Sequence, residues 1–299
     1  MPFSPCRTHS AIPPRLEPMT GVPAANDSRR LLDYAKELRY CLSATRDIRS
    51  CTRLLWHTAR FHAMNAYNQG LTKGRPFAIN LEIRRGYNKK LCLRPYGGDL
   101  FVLYEILMLG TYFVPETMLA PDDVRTIVDC GANVGITSLY FASRYPQAKI
   151  FSIEPHPDNF ELLVQNTSTE PRIIPINAAV VGQPKSSIRF STNEPAWGNK
   201  ITQDETGIDV QAVSISHLCK DYDLEGIDLL KIDIEGGEQE VFANADFLPG
   251  VRLGIIELHS PYTQHMFETD IAKSNFITRS PSSDLGTKML TFAKTPTAQ

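Results

Sequence analysis

The run Thr126-Ile-Val-Asp-Cys-Gly-Ala-Asn-Val-Gly135 constrains the fold of this chain more than any other stretch. Ile127 and Val128 read as a buried parallel strand that stops at Asp129. Gly131 and Gly135 let the backbone turn tightly and approach a ligand, and residues 136–143 continue with helical apolar spacing. A strand passing through such a turn into a helix belongs to an open α/β sheet, which binds ligands beyond the carboxyl ends of its strands. Ala132 and Asn133 fill the middle of the loop, so the dinucleotide fingerprint G-x-G-x-x-G is absent, and Ile136 stands where a P-loop needs lysine. What remains is D-x-G-x-N-x-G. It suits a ligand with an amino-acid end, offering backbone N–H groups to a carboxylate and side-chain oxygens to an ammonium. An ordinary strand-turn-helix connection is the competing reading.

Two further segments repeat the plan. Lys149-Ile-Phe-Ser-Ile-Glu154 is an apolar strand ending in an acid, broken by Pro155-His-Pro157, with Asp158 placed to open the next helix. An acid about 20 residues beyond a glycine loop is where nucleoside-binding sheets hold ribose hydroxyls. Asp228-Leu-Leu-Lys-Ile-Asp-Ile-Glu-Gly-Gly-Glu-Gln-Glu240 reads as a central strand. Strand alternation puts Asp233 and Glu235 on one face and Ile232 and Ile234 on the other. Two carboxylates at one strand end could order a ligand's cationic groups, hold a metal or act as a base. Alternatively, one of them caps the helix that begins near Glu238.

Together these segments resemble the FkbM-type family of S-adenosylmethionine-dependent methyltransferases. The likeness rests on Val128-Asp-Cys-Gly-Ala-Asn-Val-Gly135, Ile153-Glu-Pro155, Asn177-Ala-Ala-Val180, Lys231-Ile-Asp-Ile-Glu-Gly236 and Ile256-Glu-Leu-His259. It extends from about Leu91 to the C-terminus and includes the lead-in Leu93-Arg-Pro-Tyr-Gly-Gly-Asp-Leu100. The resemblance implies a Rossmann-like class I methyltransferase core with S-adenosylmethionine as cofactor. Within the loop opened by Asp129, Gly131, Asn133 and Gly135 would meet its methionine end. Glu154, followed by Pro155, would take the ribose hydroxyls; Asn177 and Ala178 would lie near the adenine, and Asp233 near the sulfonium. Gly237 departs from the alanine common there, and the region after His259 reads as short and irregular, which leaves the acceptor pocket undefined.

The expected architecture is α/β: a doubly wound, mostly parallel sheet with an N-terminal helical extension. Residues 1–26 carry six prolines and read as disordered. Residues 27–75 form the helical extension, which would cover the core, help to form the acceptor pocket or make a homodimer. Residues 76–299 form the methyltransferase domain, beginning with a hairpin formed by Phe77–Ile83 and Lys90–Arg94. Short strands at Ile188–Phe190 and Val210–Val213 flank the turn-rich loop of Trp197, which would close over the cofactor or acceptor, or pack back on the core.

With 31 basic and 33 acidic residues and no block of like charge, the chain lacks the electrostatic footprint of a nucleic-acid binder. The six cysteines form no CxxC pair, so neither zinc nor a disulfide framework is expected, and a reduced, cytoplasmic protein is the simpler reading. Cys130, with no activating base nearby, reads as packing volume. No stretch reads as a signal peptide or membrane span.

The chemistry expected is methyl transfer from S-adenosylmethionine to a small molecule, by O-methylation of a sugar or secondary-metabolite hydroxyl. An alcohol acceptor needs a base. His259, at the same rim as Asp129, Glu154 and Asp233, is the candidate, with an ordinary pKa of about 6.5. Glu257 and Glu235 share that rim, and Asp233 and Glu235 complete the expected catalytic set. The same group with Glu257 and His259 could instead hold magnesium, although spacing alone does not establish this and no metal is expected. N-methylation of an amine, a non-catalytic S-adenosylmethionine-binding scaffold and a nicotinamide-dependent oxidoreductase are the alternatives. The intact Gly131, Glu154, Asp233 and Glu235 disfavour the scaffold, and the missing fingerprint glycine disfavours the oxidoreductase.

Overall fold

The computed structural model describes residues 27–66, 74–96, 98–183, 185–190, 207–243, 245–279 and 289–295. The proline-rich residues 1–26 and the Trp197 loop lie outside this set. The chain opens with helices α1 (Asp27–Ala44) and α2 (Ile48–Ala66), followed by the hairpin of β1 (Phe77–Arg84) and β2 (Tyr87–Leu93). Alternation buries Phe77, Ile79, Leu81 and Ile83 on one face of β1. Helix α3 (Asp99–Leu103) then runs directly into a π-helical turn, Tyr104–Met108.

The core follows as β3 (Thr126–Cys130), α4 (Ile136–Arg144), β4 (Lys149–Ile153), α5 (Pro157–Thr167) and β5 (Ile173–Ile176). A small three-stranded sheet comes next, built from β6 (Ala179–Val180), β7 (Ser187–Phe190) and β8 (Ile208–Val213). The chain then returns through α6 (Ile215–Asp221), β9 (Ile227–Ile232), α7 (Glu238–Ala243) and β10 (Val251–Glu257). It finishes with α8 (Gln264–Ala272), β11 (Phe276–Arg279) and β12 (Met289–Lys294).

The main sheet has the order β11-β12-β10-β9-β3-β4-β5. β5, β4, β3, β9 and β10 pair in parallel, while β12 runs antiparallel between β10 and β11. The expected mostly parallel, doubly wound sheet is therefore observed. The region after His259 is not irregular: a helix and two sheet strands occupy it, and Phe267, Phe276 and Phe292 bury one aromatic cluster there.

Strand residues alternate between two cores. Ile127, Leu229, Leu253 and Ile255 face one that holds α4, the hairpin and buried residues of α1 and α2; Val128, Leu230, Ile232 and Ile256 face one that holds α6, α7 and α8. The N-terminal helices thus share a core with the sheet. Tyr104 is hydrogen-bonded through its hydroxyl to Cys41 of α1 and Thr58 of α2. Among the described residues no helix is long and apolar enough to cross a membrane.

Candidate active site

Strand order reverses between β3 and β9, and a crevice opens there beyond their carboxyl ends. The two strand ends touch through backbone, with Asp233 N–H donating to Cys130 O at 3.2 Å. Gly131 makes this approach feasible. Its φ is +79°, and a Cβ would fall 1.8 Å from Asp233 O. Gly135, at φ +87°, serves the packing of helices instead. A Cβ there would sit 2.9 Å from Leu163 Cδ1, so its bareness seats α4 against α5.

The crevice holds a cavity of about 390 Å³. Of the residues picked out from sequence, Gly131, Asn133, Glu154, Pro155, Ala178, Asp233, Glu235 and His259 line it, joined by Glu257. Asp129, Gly135 and Asn177 do not line it. Asp129 is fully buried, accepts from Ser138 Oγ at 2.7 Å and pairs with Lys231 Nζ at 3.3 Å. Asn177 donates through Nδ2 to the carbonyls of Glu154 and Pro155, bracing that turn.

Glu154 is only 5% exposed. Its Oε2 accepts from Asn133 N–H at 2.9 Å, and its Oε1 from His156 N–H at 2.9 Å and Asn159 Nδ2 at 3.2 Å. Burial nevertheless outweighs those bonds and pushes its carboxyl up to about 7. Asn159 is held in turn by Arg94, whose Nη2 reaches Asn159 Oδ1 at 2.8 Å and Asp99 Oδ1 at 2.7 Å. The lead-in segment therefore locks the acid that ends β4. Asn133 has a left-handed φ of 50°, and its Oδ1 is buried without a partner among the described residues.

Beyond β9, Asp233 and Glu235 lie in a turn rather than on the strand, with Glu235 at φ 55°. They are nevertheless brought together around His259. Its Nδ1 lies 2.7 Å from Glu238 Oε1, and its Nε2 lies 3.4 Å from Glu235, 3.9 Å from Asp233 and 4.0 Å from Glu257. Burial alone would lower the imidazole pKa, but the Glu238 bond and the neighbouring carboxylates carry it up to about 9. It is therefore an imidazolium at neutral pH. Asp233, Glu235 and His259 each offer one ligand atom, and these lie within 4.8 Å of one another, close enough to converge on one cation.

Sequence reading passed over three side chains of this wall. Lys231, 1% exposed, donates to the carbonyls of Cys130 and Gly131 and pairs with Asp129 and with Asp233 at 3.6 Å. Tyr112 donates to Asp233 Oδ2 at 2.9 Å. Glu105 reaches the cavity from the π turn, and burial, then Asp233, raises its carboxyl to about 7. A lysine inside the apolar run of β9 was the visible signal for the first; nothing local marked the other two. Cys130 is wholly buried and burial pushes its thiol up, in keeping with packing volume.

Comparison with known proteins bears on this arrangement. The family model described as "Methyltransferase FkbM domain" matches residues 129–274, from the acid ending β3 to the end of α8. "Methyltransferase sdnD" of Sordaria araneosa is 32% identical across 40% of this chain and 60% of its own length. "Hexuronic acid methyltransferase AglP" of Haloferax volcanii is 27% identical across 46% of this chain and 57% of its own. The chain thus spans about three fifths of the length of these curated relatives. Among solved structures, Methanococcus jannaschii fibrillarin is 13% identical with a TM-score of 0.39, covering 75% of this chain and 86% of that one. A score that low adds nothing to the topology already described. The matched motifs and the strand order agree: residues 129–274 match the model of the FkbM methyltransferase domain and lie on a doubly wound, mostly parallel sheet.

Proposed function

We propose that this protein transfers a methyl group from S-adenosylmethionine to a hydroxyl of a small molecule, a sugar or a secondary metabolite. The observation that carries this reading is the switch-point cavity, where the Gly131–Asn133 loop, Glu154 and the carboxylate rim of Asp233, Glu235 and Glu257 share one wall. The catalytic unit is taken as residues 76–299, with α1 and α2 as its support. The residues present suit the cofactor. Gly131 lets the loop close onto the backbone of Asp233 at the cavity wall, Asn133 Oδ1 is a buried acceptor without a donor among the described residues, and Glu154 presents a held carboxylate at the end of β4.

When bound, the cofactor supplies a methyl group activated on a sulfonium. Gly131 and Asn133 would hold its amino-acid end, Glu154 the ribose hydroxyls and Ala178 the adenine. The rim carboxylates would orient the acceptor, and positioning supplies much of the rate in such a transfer. A carboxyl titrating near neutrality is suited to take the acceptor's proton, whereas His259, already protonated, is suited to hold charge in place. A hydroxyl acceptor accords with a rim of hydrogen-bond acceptors and with the hexuronic acid named for the Haloferax relative. The same acids would hold an amine's ammonium, which keeps N-methylation as the second reading.

Calorimetric titration with S-adenosylmethionine and S-adenosylhomocysteine tests the cofactor site. The wild type is expected to bind both, and Glu154→Gln at least about tenfold more weakly, as loss of a charged hydrogen-bond partner implies. No binding by folded wild type refutes the reading. Release of S-adenosylhomocysteine across parallel sugar and amine panels then separates the two acceptor classes.

A further inference from the structure

Among the described residues five carboxylates reach the cavity, and four of them are engaged. Glu154 accepts three hydrogen bonds; Asp233 is held by Tyr112 and Lys231; Glu235 and Glu257 lie within 4.0 Å of His259. Among the described residues the Glu105 carboxylate has neither a hydrogen bond nor an ion pair. It is not a loose surface acid. Its carbonyl accepts from both the N–H and the Oγ1 of Thr111, and the preceding Tyr104 is pinned by Cys41 and Thr58. The π-helical turn, a geometry frequent at functional sites, thus holds Glu105 in the cavity wall.

Among the described residues the charges lining the cavity leave it without a counter-ion. The cations lining the same cavity, among the described residues, are Lys231 on β9 and His259 beyond β10. Lys231 is matched by Asp129 behind it, and His259 by Glu238, both fully buried. Asp233 and Glu235 beyond β9, Glu257 on β10 and Glu154 beyond β4 are all acids, and Tyr112 carries no charge. Glu105 is half-buried, and a carboxylate withdrawn from water among other acids keeps its proton more readily unless a cationic ligand favours the charged form.

We propose that Glu105 is the catalytic base of the methyl transfer, its charge balanced by the cofactor's sulfonium before the reaction and by the acceptor's proton after it. This rests on the function proposed above. As the acceptor oxygen bonds to the methyl carbon, the carbon–sulfur bond breaks and its electron pair stays on sulfur. The hydroxyl proton passes to the Glu105 carboxylate. A sulfonium and a carboxylate become a thioether and a carboxylic acid, so the pair is neutral before and after. Unpaired Glu105 titrates near neutrality, and the sulfonium alone would hold it anionic.

The consequence can be read without an acceptor, from protons released on binding, measured by calorimetry at pH 7 in two buffers of different ionisation enthalpy. S-adenosylmethionine should displace up to about half a proton more than S-adenosylhomocysteine, because only the former carries the charge that favours the carboxylate. In Glu105→Gln that difference should vanish while both ligands still bind. Equal proton release with the two ligands in the wild type overturns the assignment without any variant. So does a difference that persists in Glu105→Gln, which would pass the role to Glu235 or Glu257. If neither ligand binds the folded wild type, the methyltransferase reading fails and this assignment fails with it, a result distinct from the other two.

Discussion

Glu154→Gln should change how stability depends on pH, and the structure fixes the shape of the change. Burial raises the Glu154 carboxyl from 4.5 to about 7, so the folded protein keeps this proton where the unfolded chain has lost it. The cost is therefore absent below about pH 4.5, grows as pH rises and is complete above about 7. At about 1.4 kcal/mol per pH unit it amounts to roughly 3 kcal/mol. Glutamine carries no such dependence, but its amide must turn N–H donors either toward Asn133 N–H or toward His156 N–H and Asn159 Nδ2. Asn159 cannot flip to help, since Arg94 occupies its Oδ1. A donor facing a donor costs about 1–3 kcal/mol at every pH. Urea unfolding from pH 4.5 to 8 without ligand should show the variant less stable by that amount at the acid end and close to wild type above pH 7. The other carboxyls titrate in both proteins and cancel in the difference. Parallel curves would refute the argument that burial controls this group.

Gly131→Ala should fail to fold or lose more than about 3 kcal/mol in urea unfolding, because its Cβ would overlap Asp233 O and its φ is left-handed. Lys231→Met strips the cation from two carboxylates, one of them fully buried, and should cost about 3–5 kcal/mol in the same assay. The imidazole of His259, followed by NMR, should titrate near 9 and fall in Glu238→Gln. Its raised value adds stability that is present in full below about pH 6.5 and is lost as pH rises through about 9.

The sheet was legible because its strands announce themselves twice, through apolar runs and through the acids and glycines that end them at Asp129, Glu154 and Asp233. The crevice followed from the same residues, since a strand's carboxyl end is where its sequence turns polar. The far side of the cavity was not legible, for a physical reason. Glu105 and Tyr112 lie in an apolar stretch whose spacing reads as plain helix. Their meeting with Asp233 depends on how α3, its π turn and the N-terminal helices pack across the sheet, a contact over more than 100 positions that no local pattern encodes. The region after His259 was misread because β11 and β12 are short and separated by residues 280–288, so period-two alternation had too few positions to appear. The same asymmetry governs the site. The wall expected to meet the cofactor comes from strand ends and can be read in order along the chain. The wall proposed to face the acceptor is assembled from the elements whose placement only packing determines, and there a carboxylate with no partner among the described residues is the clearest mark of the proposed chemistry.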